Sequence, residues 1–187
     1  MRPPRLARFG YQGFYRYLLT FCTKGRVARI ATSEVATALL SQFRRCGALH
    51  RFAITAHCMM PDHVHLLVRA HSADAQLQRF VVCAKQQTGY WYSVQYGEQL
   101  WQEGFHDHVL WDDEDELPFV LYVLANPVRR GLASELGEYP LAGSDAYSKD
   151  AITQEMRERG WTIEFVPASL SPGLKPRPTT TPACRRS

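Results

Sequence analysis

The stretch Met59-Met60-Pro61-Asp62-His63-Val64-His65-Leu66-Leu67-Val68 constrains this chain more than any other. Pro61-Asp62 has turn chemistry, and the alternation that follows is that of a β-strand. Successive strand residues point to opposite faces. Val64, Leu66 and Val68 therefore form a core face, and His63, His65 and Leu67 share the other. Two imidazoles placed side by side on one strand can bind one divalent metal.

The rest of the chain supplies a frame for that strand. Phe14–Phe21 reads as a strand with Tyr15, Tyr17, Leu19 and Phe21 on one face and Arg16 and Thr20 on the other. Ser33 is placed to cap a helix that runs to about Cys46, with Val35, Leu39, Phe43 and Cys46 on its apolar face and Gly47 as its stop. Arg44 and Arg45 then fall in the last turn, where the helix dipole favours cations. Arg51–Cys58 reads as a second strand, with Phe52, Ile54, Ala56 and Cys58 inward and His57 opposite. Its short link to the histidine strand makes a hairpin.

From Asp74 to about Tyr92 the period becomes helical, with Leu77, Phe80, Val81, Ala84 and Trp91 on one face. Lys85 lies off that face, as solvated surface or as a phosphate contact. Tyr90, Trp91 and Tyr92 suit packing better than base stacking. Trp101–Leu110 ends in a strand that carries a second His-x-His pair, His106 and His108. Asp112–Glu116 reads as a helix N-terminus. That helix continues to Ala125 and is stopped by Pro127, with Tyr122 and Asn126 one turn apart on one face. Trp161–Val166 reads as a last short strand.

The order strand, helix, strand, strand, helix, strand, helix predicts an α+β fold: a ferredoxin-like antiparallel sheet with helices packed on one face. Residues 1–12 read as a flexible basic arm, 13–150 as the catalytic domain and 151–168 as a C-terminal extension. In 169–187 Pro, Thr and Ser predominate, which predicts a disordered tail.

A chain of 187 residues with a net charge of +4 is long enough for one real core and compatible with a polyanionic partner. Five scattered cysteines without a CxxC argue against a disulfide framework and for a reducing, cytoplasmic setting. No apolar run approaches a membrane span, and no secretory signal opens the chain.

A tyrosine hydroxyl, with a pKa of about 10, is a weak nucleophile at neutral pH unless its electrophile is activated. A metal on two histidines can activate a phosphodiester, so that Tyr122 attacks and is left as a 5′-phosphotyrosine with a free 3′-OH released. Asn126 offers a third, oxygen ligand from the same helix as the tyrosine.

The motifs resemble a known family. Met60–Val68 is similar to the His-hydrophobic-His motif of small single-tyrosine (HUH) transposases. Trp101-Gln102, Asp107-His108-Val109 and Tyr122-Val-Leu-Ala-Asn126-Pro127-Val128-Arg129-Arg130-Gly131-Leu132 resemble the branch associated with repetitive extragenic palindromes. The resemblance covers roughly residues 10–150. It implies Tyr122 as nucleophile, His63 and His65 as ligands of Mg²⁺ or Mn²⁺, and Asn126 where the wider family has a glutamine. It also implies cleavage of single-stranded DNA beside palindromic hairpins, by a monomer or a homodimer. Lys85, His108, Arg129 and Arg130 are the expected DNA contacts, and His106 is left open. Two other readings stand beside this one: a hairpin-binding protein that does not cut, and a zinc-dependent hydrolase that uses both His-x-His pairs.

Overall fold

The computed structural model describes residues 11–170. Its elements run β1 (Arg16–Cys22), α1 (Ser33–Leu49), β2 (Phe52–Met60), β3 (His63–Ala70), α2 (Leu77–Tyr96), β4 (His106–Leu110), α3 (Leu117–Leu124), α4 (Asn126–Arg129), β5 (Ala142–Ser144) and α5 (Lys149–Arg159). The five strands form one antiparallel sheet in the order β4-β1-β3-β2-β5. This is the expected α+β sheet, with the histidine strand β3 at its centre.

Helices α1 and α2 cover one face. They pack on Tyr17, Leu19 and Phe21 of β1 and on Val64, Leu66 and Val68 of β3. The opposite face is covered too. Leu18, Ala56, Cys58, Met60, Leu67 and Leu110 are buried there against α3 and Ile152 of α5. Helices therefore lie on both sides of the sheet, beyond the one-face arrangement expected from the sequence. The cause is visible in β3, where Leu67 is as fully buried as Leu66. A strand apolar on both faces needs a cover on both.

A β-bulge in β2 sorts its side chains between the two layers. Ile54 pairs with Val68 and Ala56 with Leu67, so Thr55 is the extra residue. Phe52 and Ile54 face α1 and α2 as expected, whereas Ala56 and Cys58 face α3, against expectation. His57 consequently faces the α1 side. It is buried, its Nδ1 has no hydrogen-bond partner among the described residues, and burial lowers its pKa to about 4.

Several local expectations are corrected. Thr32, not Ser33, caps α1, accepting from the Val35 N–H. The helix runs through Gly47, where a Cβ would lie 2.7 Å from the Phe52 carbonyl oxygen; close packing, not helix termination, is its use there. Arg44 is therefore not in the last turn, and it pairs with Asp145 instead. Residues 161–166 form no strand. Trp161 stacks on Phe165 and the segment packs against the α3 layer, while β5 takes the sheet edge beside β2.

Helix α5 crosses the expected boundary at 150. Buried Tyr11 and the Gln12–Gln76 bridge show ordered packing within the expected arm 1–12. The remainder of that arm, and the tail beyond 170, lie outside the described residues. Cys46 on α1 and Cys83 on α2 form a disulfide with Cα atoms 6.0 Å apart, a single cross-link that scattered spacing did not reveal. Cys22 and Cys58 are buried free thiols. Among the described residues no helix is long and apolar enough to cross a membrane.

Candidate active site

The Pro61-Asp62 turn returns the chain so that Met60 pairs with His63, and β3 then runs between β1 and β2. Strand alternation puts His63 and His65 on the α3 side of the sheet, opposite Val64, Leu66 and Val68. Their ring centroids are 4.8 Å apart and the rings are perpendicular.

Each ring is held by a hydrogen bond at Nδ1. Asp62 Oδ1 lies 2.6 Å from His63 Nδ1, and Thr20 Oγ1 lies 2.9 Å from His65 Nδ1. Thr20 is in place because it sits opposite His65 in the β1–β3 register. A carboxylate only accepts, so His63 carries its proton on Nδ1 and keeps a lone pair on Nε2. Burial depresses both imidazoles, His63 below its ordinary value despite Asp62, and His65 to about 3. Both are neutral near pH 7. Neutral imidazoles steadied at Nδ1 are the form that binds a divalent ion, so the donor chemistry fits two nitrogen ligands of a metal.

Helix α3 brings the tyrosine to this pair. The Tyr122 ring lies 5.9 Å from the His65 ring, centroid to centroid, at 75°. Arg129 covers the Tyr122 ring at 4.6 Å and donates to the Tyr122 carbonyl at 2.5 Å and the Ile163 carbonyl at 3.0 Å. Asn126 sits where α3 passes into α4. Pro127 lacks an N–H for the Val123 carbonyl, and the Asn126 side-chain amide donates there at 3.4 Å and to the Tyr122 carbonyl at 2.8 Å. Its nitrogen is spent on the helix junction, which leaves Oδ1 as its donor oxygen for a ligand.

The start of α3 is docked by Glu116, only 3% exposed. Its carboxylate accepts from the Thr55 hydroxyl at 2.7 Å and pairs with Arg69 and, at 3.8 Å, Arg16. Glu116 thus does more than complete an acidic run. It ties the tyrosine helix to β1, β2 and β3.

The other expected site residues are placed differently. Lys85 belongs to α2 in the opposite layer, and its Nζ donates to the carbonyls of Gln102 at 2.8 Å and Gly104 at 2.5 Å. His108 stacks on Phe119 at 5.5 Å, with Nε2 buried and unpartnered among the described residues. His106 is exposed, across β1 from His65 through Thr20. The two His-x-His pairs do not join in one cluster. Among the described residues, no three His, Cys, Asp or Glu side chains gather to hold a metal. Arg130 is exposed at the end of α4, and its charge helps to lower both imidazoles after burial.

Sequence reasoning missed Thr20, Asp62 and Glu116. Asp62 had a signal, a carboxylate adjacent to the first histidine. Thr20 becomes visible only once the register is known.

The model of the IS200-like transposase family matches residues 13–114. That span includes both histidines and ends before Tyr122. A protein of Haemophilus influenzae named as a REP-associated tyrosine transposase is 24% identical over 135 residues, covering 66% of this chain and 76% of its own. A solved REP-associated tyrosine transposase bound to a REP hairpin superposes with a TM-score of 0.64 at 19% identity, covering 95% of this chain and 98% of that one. At that identity the likeness establishes the shared fold. With more than half of its length matched by the family model, the chain belongs to the IS200-like transposase family.

Proposed function

We propose that this chain nicks and rejoins single-stranded DNA beside palindromic hairpins, with Tyr122 as nucleophile and a Mg²⁺ or Mn²⁺ ion on His63 and His65. The observation that carries the proposal is the 5.9 Å approach of the Tyr122 ring to the His65 ring, made by two elements far apart in sequence.

In the forward step Tyr122 Oη bonds to phosphorus and the P–O3′ bond breaks. The phenolic proton goes to solvent, and the departing 3′-oxygen takes one up, giving a 3′-OH and a 5′-phosphotyrosine. A 3′-OH attacking the same phosphorus reverses the step, so strands can be exchanged without an energy source. When bound, the ion withdraws charge from the phosphodiester and stabilises the leaving oxygen. His63, His65 and the Asn126 Oδ1 would hold it. Asp62 keeps the His63 proton on Nδ1, and Thr20 holds the orientation of the His65 ring. Arg129 holds the tyrosine ring by a cation–π contact and fixes the helix junction beneath it. Arg130 is the remaining cation of this segment for the DNA backbone.

The hairpin preference is suggested by the solved relative, which holds a REP hairpin. The test is to incubate a labelled hairpin oligonucleotide with the protein and Mn²⁺. The expected result is a denaturation-resistant protein–DNA adduct and a free 3′-end, both lost in Tyr122→Phe and with chelator. Hairpin binding without any adduct would instead favour a protein that keeps the fold but does not cut.

A further inference from the structure

We propose that Arg26 is a DNA-phosphate contact of the His63–His65 site, with its guanidinium pre-set by Asp62 and Cys22. This rests on the nuclease reading above and adds a residue to it.

The chain reaches Arg26 through a conformation that an arginine seldom adopts. Gly25 and Arg26 follow β1 with φ of 67° and 57°, two left-handed residues in succession. For a residue with a Cβ this costs about 1–2 kcal/mol, and it persists where the surroundings enforce it. Here the enforcement is specific. Arg26 Nε lies 2.9 Å from Asp62 Oδ2, and Nη1 lies 2.9 Å from Cys22 Sγ. Cys22 pairs with His63 across the sheet, and the other oxygen of Asp62 holds His63 Nδ1. Arg26, Asp62 and His63 therefore form one chain of contacts, so the guanidinium has its place at the metal-ligand pair.

That guanidinium is not used up. Arginine has five N–H donors in a planar fork. Asp62 and Cys22 engage Nε and Nη1, and the side chain is 43% exposed. Arg26 thus joins the histidine pair from the β1 turn, while Tyr122 approaches the same pair from α3. A phosphodiester that must sit on His63 and His65 and face Tyr122 is the anion such an arrangement fits. Asp62 neutralises Arg26 as a unit, so the gain is a directed hydrogen bond rather than long-range attraction.

The test compares oligonucleotide charge with the Arg26 side chain. The cleaved phosphate is first located from the adduct formed by the wild-type chain. Binding is then measured in a Tyr122→Phe background with the native hairpin oligonucleotide and with one carrying an uncharged methylphosphonate at that position. Arg26→Gln is expected to weaken the native oligonucleotide about tenfold and the methylphosphonate less than twofold. Arg26→Lys, which keeps the charge but loses the fork, should fall between wild type and Arg26→Gln on the native strand. Equal losses on both oligonucleotides, or none on either, would overturn the proposal. If Arg26→Gln does not fold, the same comparison with Arg26→Lys decides. Absence of any adduct from the wild-type chain would overturn the nuclease reading, and this inference with it.

Discussion

Removing the Glu116 carboxylate should destabilise the fold by about 3 kcal/mol and loosen the helix that presents Tyr122. The magnitude follows from what each partner loses. Thr55 forfeits a charge-assisted bond of 2.7 Å, worth about 1.5–3 kcal/mol, and keeps only a 3.3 Å contact to the Leu67 carbonyl. Arg69 has half of its side chain in solvent and can turn outward, so its share is that of a screened pair, about 0–1 kcal/mol. Arg16 is only 17% exposed, but it retains the Trp111 and Glu114 carbonyls at 2.7 and 2.9 Å, so no buried cation is orphaned.

The total falls at the lower edge of the roughly 3–5 kcal/mol typical of breaking a fully buried pair. Glu116→Gln keeps an acceptor for Thr55 and should cost about half as much as Glu116→Ala. Urea denaturation followed by tryptophan fluorescence measures this as a lower midpoint at unchanged slope. A loss below 1 kcal/mol in Glu116→Ala, or equal losses in the two variants, would refute the reasoning.

Three further outcomes are expected. Asp62→Asn and Thr20→Val, which disturb the bonds at His63 and His65 Nδ1, should each weaken Mn²⁺ binding about 10–100-fold by titration calorimetry without unfolding the chain. Reducing the Cys46–Cys83 bond, which closes a segment of 37 residues, should cost up to about 4 kcal/mol of stability, read as a lower urea midpoint with reductant that is absent in Cys46→Ser. His57 is held near a pKa of about 4, chiefly by burial and then by Arg44, against an ordinary value of 6.5. The unfolded chain therefore binds the extra proton between those values. Stability is full above pH 6.5 and falls by about 3 kcal/mol as the pH drops toward 4. His57→Gln should flatten that part of the pH profile.

The parts of this fold legible in the sequence are those set by local period. β1, β3 and α2 follow their apolar alternation or helical stripe closely, and the Pro61-Asp62 turn fixed the hairpin. What escaped depends on contacts between distant residues. The bulge at Thr55 reverses the second half of β2, and nothing in a run of Ala, Ile, Thr and Ala announces an extra residue. The second helical layer follows from Leu18 and Leu67 being as buried as their neighbours, a property of the assembled sheet.

In the candidate site, spacing and motif mark His63, His65 and Tyr122, and the fold brings their rings together. The contact that holds His65 is not marked, since Thr20 reaches it only through strand register. Lys85 looked available for phosphate because a helical wheel shows only that it leaves the apolar face. The carbonyls it serves belong to the loop at 102–104.

Under the proposed chemistry the Tyr122 oxygen takes the DNA 5′-phosphate. The most direct test is to digest the adduct formed with a hairpin oligonucleotide and Mn²⁺ and to locate the nucleotide by mass spectrometry. A phosphodiester on Tyr122 alone is expected, with a free 3′-OH on the released strand. Nucleotide on any other residue, or cleavage that leaves a 5′-phosphate in solution and no modified peptide, would contradict it.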